Sequence, residues 1–137
     1  MVTLFPNNAD GKLADIVETL RRLPHWGEWN ARRGAGQDFR CVYCQCDLLA
    51  SVNDYDSWQL DHIFPSSRGG PHDFENIAVC CRTCNLLKHD CPPSGSTREQ
   101  RIDDARKHIQ VRRMAKMDEL EKLRILIHYA PGGGNPQ

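Results

Sequence analysis

The sequence has no long hydrophobic run, no net charge and no internal repeat. No stretch approaches the roughly 20 apolar residues that a membrane-spanning helix needs, so we expect no association with a membrane. Basic and acidic residues balance at 18 each. This balance argues against a freestanding, tightly binding nucleic-acid protein, because phosphate contacts need clustered Lys and Arg, although it leaves room for a local basic face.

The N-terminus has neither the basic start nor the apolar segment of a secretory signal, since residues 1–12 read MVTLFPNNADGK. We therefore expect an intracellular, cytoplasmic protein whose cysteines are reduced. The chain has seven cysteines. In a reducing compartment they are better explained as metal ligands and a few free thiols than as a disulfide framework, and the odd count agrees with that.

At 137 residues the chain has the size of one domain with one modest core. We predict an N-terminal helical extension over 1–39, a core over 40–91, a C-terminal helix over 92–130 and a flexible tail over 131–137. In the extension, residues 12–23 are predicted to form an amphipathic helix that Pro24 stops, and residues 25–36 a loop that packs its tryptophans. The apolar positions of that helix are Leu13, Ile16, Val17, Leu20 and Leu23.

The core is dense in Cys, Asp, His, Asn and Gly. SWQLDHIF at 57–64 predicts a strand, residues 66–76 are rich in turn formers, IAVCC at 77–81 predicts a short buried strand, and RTCNLLKH at 82–89 predicts a helix. The expected order is therefore strand, loop, strand, helix.

After Pro92 and Pro93, a capping box formed by Ser96 and Glu99 predicts the start of one long helix that reaches roughly His128. Its apolar stripe, interrupted by Arg113, consists of Ile102, Ala105, Ile109, Met117, Leu120, Leu123 and Ile127. Cations outnumber acids over 106–116. A solvated face with intrahelical ion pairs is the simpler explanation, and a flank that grips phosphate is the alternative.

Two Cys-x-x-Cys pairs stand about forty residues apart, Cys41 with Cys44 and Cys81 with Cys84. Each pair has the short spacing that lets one turn chelate a tetrahedral ion, and four such sulfurs make a closed structural zinc site. Redox exchange is the alternative, but redox motifs normally come singly and at a helix start in an α/β pattern. Cys80 is expected to be a buried strand thiol, because only Cys81 has the two-residue gap to Cys84.

Between the pairs, Asp61 and His62 stand together near the end of the predicted strand. Neutral histidine can accept a proton from water, and a carboxylate together with the carbonyl of Asn85 suits magnesium. Taken alone, an Asp-His pair is more often a surface hydrogen-bonded pair or a cap. Strand alternation would also send the two side chains to opposite faces unless the strand twists or ends there.

The order of the whole set of motifs decides between these interpretations. The chain runs CVYC from Cys41, then LDHIFP at 60–65, a Gly-Gly turn, Asn76, and CCRTCNLLK at 80–88. This order resembles the zinc-bearing branch of the HNH endonuclease family, whose fold is the ββα-metal motif. The resemblance covers roughly residues 40–90, and its third motif residue is Asn85 rather than histidine, which the family also accepts.

The resemblance implies a role for each catalytic candidate. His62 would be the general base for a water that attacks phosphorus. Asp61 and Asn85 would hold one divalent ion, magnesium or manganese, that offsets the negative charge of the transition state. Asn76 would fix the loop that aims the histidine, with an ordinary turn residue as the alternative.

Contacts to substrate phosphate are expected from Arg68 and Lys88, with a plain solvated charge as the alternative for each. His72 is expected to be a solvated loop residue, with contact to substrate or metal as the alternative. His89 is expected to be a helix-end residue, and both stay outside the catalytic set.

We therefore predict an α+β protein: a small ββα-metal HNH nuclease core with one structural zinc, flanked by an N-terminal helix and a long C-terminal helix. The expected activity is divalent-metal-dependent hydrolysis of phosphodiester bonds in double-stranded DNA, in a phage or defence setting, with a protein partner for targeting. One alternative is a noncatalytic zinc-binding module for nucleic acid or protein. The other is a nuclease effector subunit that is active only with a partner.

Overall fold

Two short antiparallel strands and the helix after them form the centre of the fold in a computed structural model that describes residues 9–129. The elements are α1 (Ala9–Arg21), α2 (Glu28–Gly36), α3 (Val52–Asp56), β1 (Gln59–His62), β2 (Ile77–Cys80), α4 (Arg82–Lys88) and α5 (Arg98–Tyr129). The predicted α+β architecture is confirmed, with strand, loop, strand and helix in the expected order. The predicted tail over 131–137 lies outside the described residues.

Strand β1 pairs with β2 in the register Gln59 to Cys80 and His62 to Ile77. All four residues of β2 are buried. Successive side chains of a strand point to opposite faces, so four buried residues in a row mean that both faces of β2 are covered, and α2 is one of the elements that pack against this strand. Burial on both faces explains why this strand is an unbroken apolar run instead of an alternating one.

The predicted loop over 25–36 is wrong, because α2 occupies most of it. Helix α2 contains two glycines, Gly34 and Gly36, although glycine disfavours a helix. One of them has a packing role, since a Cβ on Gly34 would lie 3.1 Å from the ring of Trp26. Trp26 itself is 4% exposed and stacks on Trp58 at 4.1 Å, so the expected packing of the first tryptophan is correct. Helix α1 begins and ends earlier than predicted and leaves Leu23 outside.

The long helix α5 is confirmed, but its N-cap is Thr97, one residue after the predicted Ser96. Thr97 Oγ1 accepts from the backbone N–H of Gln100, whose side-chain oxygen accepts in turn from the N–H groups of Ser96 and Thr97. This is a capping box displaced by one position. Only the first part of the apolar stripe is buried, namely Ile102, Ala105 and Ile109, whereas the side chains from Met114 onwards are exposed.

Arginines of α5 bind the core through backbone carbonyls. Arg106 donates to the carbonyl of Val42 at 2.6 Å, and Arg112 donates to the carbonyl of Leu87 at 2.7 Å. Leu87 lies in the last turn of α4, where carbonyls have no partner within the helix. These two cations are therefore used in holding α5 to the core, so neither a fully solvated face nor a phosphate-gripping flank describes them. Among residues 9–129 no helix is both long and apolar enough to span a bilayer.

Candidate metal centre and nuclease site

Four cysteine sulfurs, two from the turn after residue 40 and two from the start of α4, lie within 4.8 Å of one another: those of Cys41, Cys44, Cys81 and Cys84. Within each pair, the backbone N–H of the second cysteine donates to the sulfur of the first, at 3.5 Å in one pair and 3.3 Å in the other. The two-residue spacing therefore lets each turn bring its own two sulfurs close together. The predicted set of sulfurs is brought together.

The electrostatics of this cluster favour a bound cation. Hydrogen bonds from Cys81 and Cys84 lower the pKa of Cys41, whereas donation to Cys41 raises the pKa of Cys84. The four sulfurs can therefore not all ionise beside one another without a positive charge. A zinc ion accepts four thiolates at tetrahedral geometry and removes this conflict. The cluster can hold zinc.

An arginine side chain of α5 also reaches the cluster. Arg113 donates through Nη2 to the sulfur of Cys84 at 3.1 Å. This contact explains why an arginine interrupts the apolar stripe of α5, because a guanidinium beside a thiolate offsets negative charge.

The remaining core thiols stay outside the cluster. Cys80 is fully buried in β2, and burial raises its pKa above the ordinary thiol value. Burial likewise raises the pKa of Cys46. The sulfur of Cys80 does not belong to the group of four that lie together, so Cys80 is the buried strand thiol that the spacing predicted.

Asp61 lies on the face of β1 that α4 covers, and it is 5% exposed. The ammonium of Lys88 lies 3.3 Å from each of its carboxylate oxygens, and the hydroxyl of Tyr43 donates to one of them. Burial raises the pKa of Asp61 above its ordinary value, and the charge of Lys88 opposes that rise. Burial also raises the pKa of Tyr43 well above its ordinary value, so the phenol keeps the proton that it donates.

Asn85 lies on the same interface between β1 and α4. Its amide nitrogen donates to Oε1 of Gln59 at 2.7 Å, and Gln59 precedes Asp61 by two positions on one face of the strand. A carboxylate and an amide carbonyl are the oxygen donors that a hard divalent cation takes. The ammonium of Lys88 already places a positive charge against Asp61. The residues therefore fit a divalent ion, provided that the ammonium releases the carboxylate.

His62 is the last residue of β1, and alternation directs its side chain to the face away from α4. Its Nε2 lies 2.9 Å from Nδ1 of His72. Strand alternation therefore does not by itself bring His62 to the oxygens of Asp61 and Asn85. Asp61 and Asn85 share one face, and His62 leaves the end of the strand on the other.

The loop after β1 is closed by Asn76. Its side-chain oxygen accepts from the N–H of Phe64 at 2.9 Å, and its amide nitrogen donates to the carbonyls of Phe64 at 3.0 Å and Pro71 at 2.8 Å. Gly70 allows this closure, because a Cβ there would overlap the carbonyl oxygen of Phe64. These hydrogen bonds of the Asn76 side chain can hold the loop in place.

Residues 41–91 match the family model described as HNH endonuclease. This segment is an HNH domain. No curated protein and no solved structure matches the chain significantly.

The burial of Lys88 in the HNH domain contradicts one prediction. We expected it to contact substrate phosphate, but its side chain is 1% exposed and donates to Asp61 and, at 3.0 Å, to the carbonyl of His62. A side chain buried in this way does not reach a phosphate at the surface. Arg68 is exposed and lies 3.4 Å from Asp90, so its contact with phosphate stays a prediction.

His72 is the residue of the HNH domain that sequence reasoning left out of the site. Ten positions separate it from His62, and the Gly-Gly turn lies between them. A histidine placed just beyond a turn that folds back towards the strand was the available signal. We predicted a solvated residue instead, because His72 stands alone in a polar loop.

Proposed function

We propose that the HNH domain is a divalent-metal-dependent endonuclease that hydrolyses phosphodiester bonds in DNA, with His62 as the general base. The match of residues 41–91 to the HNH endonuclease family is the observation that carries this proposal. It is supported by the position of His62, whose side chain is half-buried at the end of β1 and whose backbone and loop are held in place.

Three contacts hold the base. The carbonyl of His62 accepts from the ammonium of Lys88 at 3.0 Å, and the N–H of Ile63 donates to the carbonyl of Asn76 at 2.8 Å. The side chain of Asn76 then fixes the loop that follows. Since a general base must keep one geometry with respect to the attacking water, this backbone support is what the reaction requires.

Asp61 and Asn85 would hold the catalytic ion, magnesium or manganese, when it is bound. Such an ion supplies Lewis-acid stabilisation of the charge that develops on the phosphate oxygens. The contribution of the chain is to provide the two oxygen donors at one interface and to release the Lys88 ammonium from the carboxylate. The four sulfurs would hold a structural zinc that fixes the start of α4, and therefore fixes Asn85 one residue beyond Cys84.

Double-stranded DNA is the substrate that we propose, with a protein partner for targeting. Basic and acidic residues balance over the chain, and Arg106 and Arg112 are occupied with carbonyls of the core. A chain whose cations are balanced by acids gains little affinity from phosphate contacts alone. Targeting by another protein would compensate for that.

The test is cleavage of supercoiled plasmid by zinc-loaded protein with and without magnesium. We expect nicked or linear product with magnesium. His62→Ala should lower the rate by about two to four orders of magnitude, which is the usual contribution of a general base. His128→Ala, at an exposed position near the end of α5, is the matched control and should cut as the unchanged protein does. Equal cleavage by His62→Ala with equal bound zinc would reject the assignment of the base.

A second candidate is favoured by the state of Asp61. The carboxylate of Asp61 is buried, is paired with Lys88 and lies on the face of β1 opposite His62. The ammonium must therefore move away before this carboxylate can bind a metal. A nuclease subunit that becomes active only with a partner would have this property. It predicts no cleavage by the chain alone and cleavage once the partner is added, with the same loss in His62→Ala. A noncatalytic zinc module would cleave in neither experiment.

A further inference from the structure

Two histidine rings meet at the end of β1. Nε2 of His62 and Nδ1 of His72 lie 2.9 Å apart, and the ring centroids are separated by 5.1 Å. A neutral imidazole has one donor nitrogen and one acceptor nitrogen. A contact at this distance therefore requires one ring to donate and the other to accept.

We propose that His72 is a positioning residue for His62: its Nδ1 accepts the Nε2–H of His62 and so leaves Nδ1 of His62 as the nitrogen that takes a proton from water. The proposal rests on the proposed role of His62 as general base.

The chemistry of the pair decides the direction of the bond. If His72 donated, Nε2 of His62 would use its lone pair as acceptor and Nδ1 would carry the hydrogen, so the ring would have no free base nitrogen. If His62 donates, its Nδ1 is unprotonated and unoccupied by the pair. Of the two arrangements of neutral rings, only the second is compatible with a general base at position 62.

The same bond serves the protonated ring. When Nδ1 of His62 takes a proton from water, the imidazolium still donates through Nε2 to His72, and this hydrogen bond becomes charge-assisted. No proton moves to His72. Its function corresponds to that of the third group in a nucleophile–base–orienter set, which holds the imidazole in one tautomer and stabilises the imidazolium.

The position of His72 is fixed from outside the HNH domain. The ring of Trp29, on α2, lies 5.5 Å from the ring of His72 and 6.1 Å from that of Phe74. The guanidinium of Arg33, also on α2, lies 3.8 Å over Phe74 and donates to its carbonyl at 2.6 Å. The N-terminal extension thus supports the ring that in turn holds the base. A cavity of about 380 Å³ opens beside Trp29 and His72, so solvent reaches the pair.

The direct test is a nitrogen NMR measurement on zinc-loaded protein without magnesium, at a pH where both rings are neutral. We expect a scalar coupling through the hydrogen bond between Nε2 of His62 and Nδ1 of His72, with the hydrogen attached to His62. A hydrogen attached to His72, or the absence of coupling, overturns the proposal. This result does not depend on cleavage, so it decides the proposal even if the chain proves to be inactive and the proposed function fails.

Kinetics give the second readout, with two variants of the same position. His72→Asn keeps an acceptor atom where Nδ1 lies, since its side-chain oxygen is attached to the same carbon, whereas His72→Leu has no acceptor. We expect kcat to fall about tenfold to a hundredfold in His72→Leu and to be restored to within a few fold in His72→Asn, with KM unchanged in both. Equal losses in the two variants, or a loss that appears only in KM, would contradict a positioning role.

Discussion

The buried pair of Lys88 and Asp61 gives the sharpest prediction about stability. Lys88→Met removes an ammonium that is 1% exposed and leaves a carboxylate that is 5% exposed with Tyr43 as its remaining donor. Breaking a buried ion pair on one side costs about 3–5 kcal/mol, because an uncompensated charge stays in the interior. A domain of this size has a free energy of unfolding of about 5–15 kcal/mol. The variant should therefore lose a large part of its stability.

Urea unfolding of zinc-loaded protein measures this loss. The double variant Asp61→Asn/Lys88→Met removes both charges and should recover most of the free energy of unfolding, since the cost arises from the unpaired charge. Lys116→Met is the matched control. Its ammonium is exposed and pairs with Glu119 on the surface of α5, so its effect should stay within about 1 kcal/mol.

The pH dependence of the loss has a definite sign. The pKa of Asp61 is raised in the folded protein, and Lys88 opposes that rise, so Lys88→Met should raise it further. Between the unfolded and the folded pKa, the folded state then binds more protons than the unfolded state, and stability falls as the pH rises. The deficit of Lys88→Met relative to the unchanged protein should therefore shrink as the pH is lowered towards the folded pKa.

Magnesium connects this experiment to the proposed metal site. Without the ammonium, a divalent ion does not compete with Lys88 for the carboxylate, so added magnesium should stabilise Lys88→Met more than the unchanged protein. The double variant, which lacks the carboxylate, should not respond. A loss below about 1 kcal/mol would show that the pair does not compensate a buried charge. An equal response of both proteins to magnesium would refute Asp61 as the ligand that Lys88 occupies.

Two further changes test the scaffold. Arg113→Met removes the donor to a cluster sulfur. The rate at which a chelator removes zinc should therefore rise about tenfold or more, measured with a zinc-sensitive dye. An unchanged rate would show that the contact does not stabilise the bound metal. Gly70→Ala puts a Cβ into the carbonyl of Phe64, whereas Gly36→Ala adds one where no atom lies within 4 Å. Thermal unfolding should therefore show a loss of about 1–3 kcal/mol for the first and little change for the second, and equal effects would contradict the tight closure of this loop.

Local sequence patterns were sufficient where the structure depends on neighbours in the chain. The two Cys-x-x-Cys spacings curl each turn about its own sulfurs, and the alternation, turn and apolar signals of 57–89 correspond to β1, the loop, β2 and α4. The same holds for Cys80, whose exclusion from the cluster followed from spacing alone. In each case the physical cause acts over a few residues, so the sequence displays it directly.

Contacts between distant segments were not visible in this way. Helix α2 contains two glycines, and one of them is required by the ring of Trp26 against which it packs. Lys88 looked like a surface cation because nothing near it in the chain shows that Asp61 faces it across β1 and α4. His72 meets His62 only because a turn closed by Asn76 returns the chain to the end of the strand. Tertiary packing overrides local propensity at each of these positions.

The helices outside residues 41–91 are part of the physical basis of the site. A segment of this length buries too little apolar surface to be stable alone, and such small units usually depend on a metal or on additional packing. Here α5 adds arginine contacts to the carbonyls of Val42 and Leu87, and Arg113 reaches the sulfur cluster. Helix α2 packs against β2 and supports His72 through Trp29. These two helices therefore both complete the core and each support one half of the candidate site, α5 the metal cluster and α2 the histidine pair.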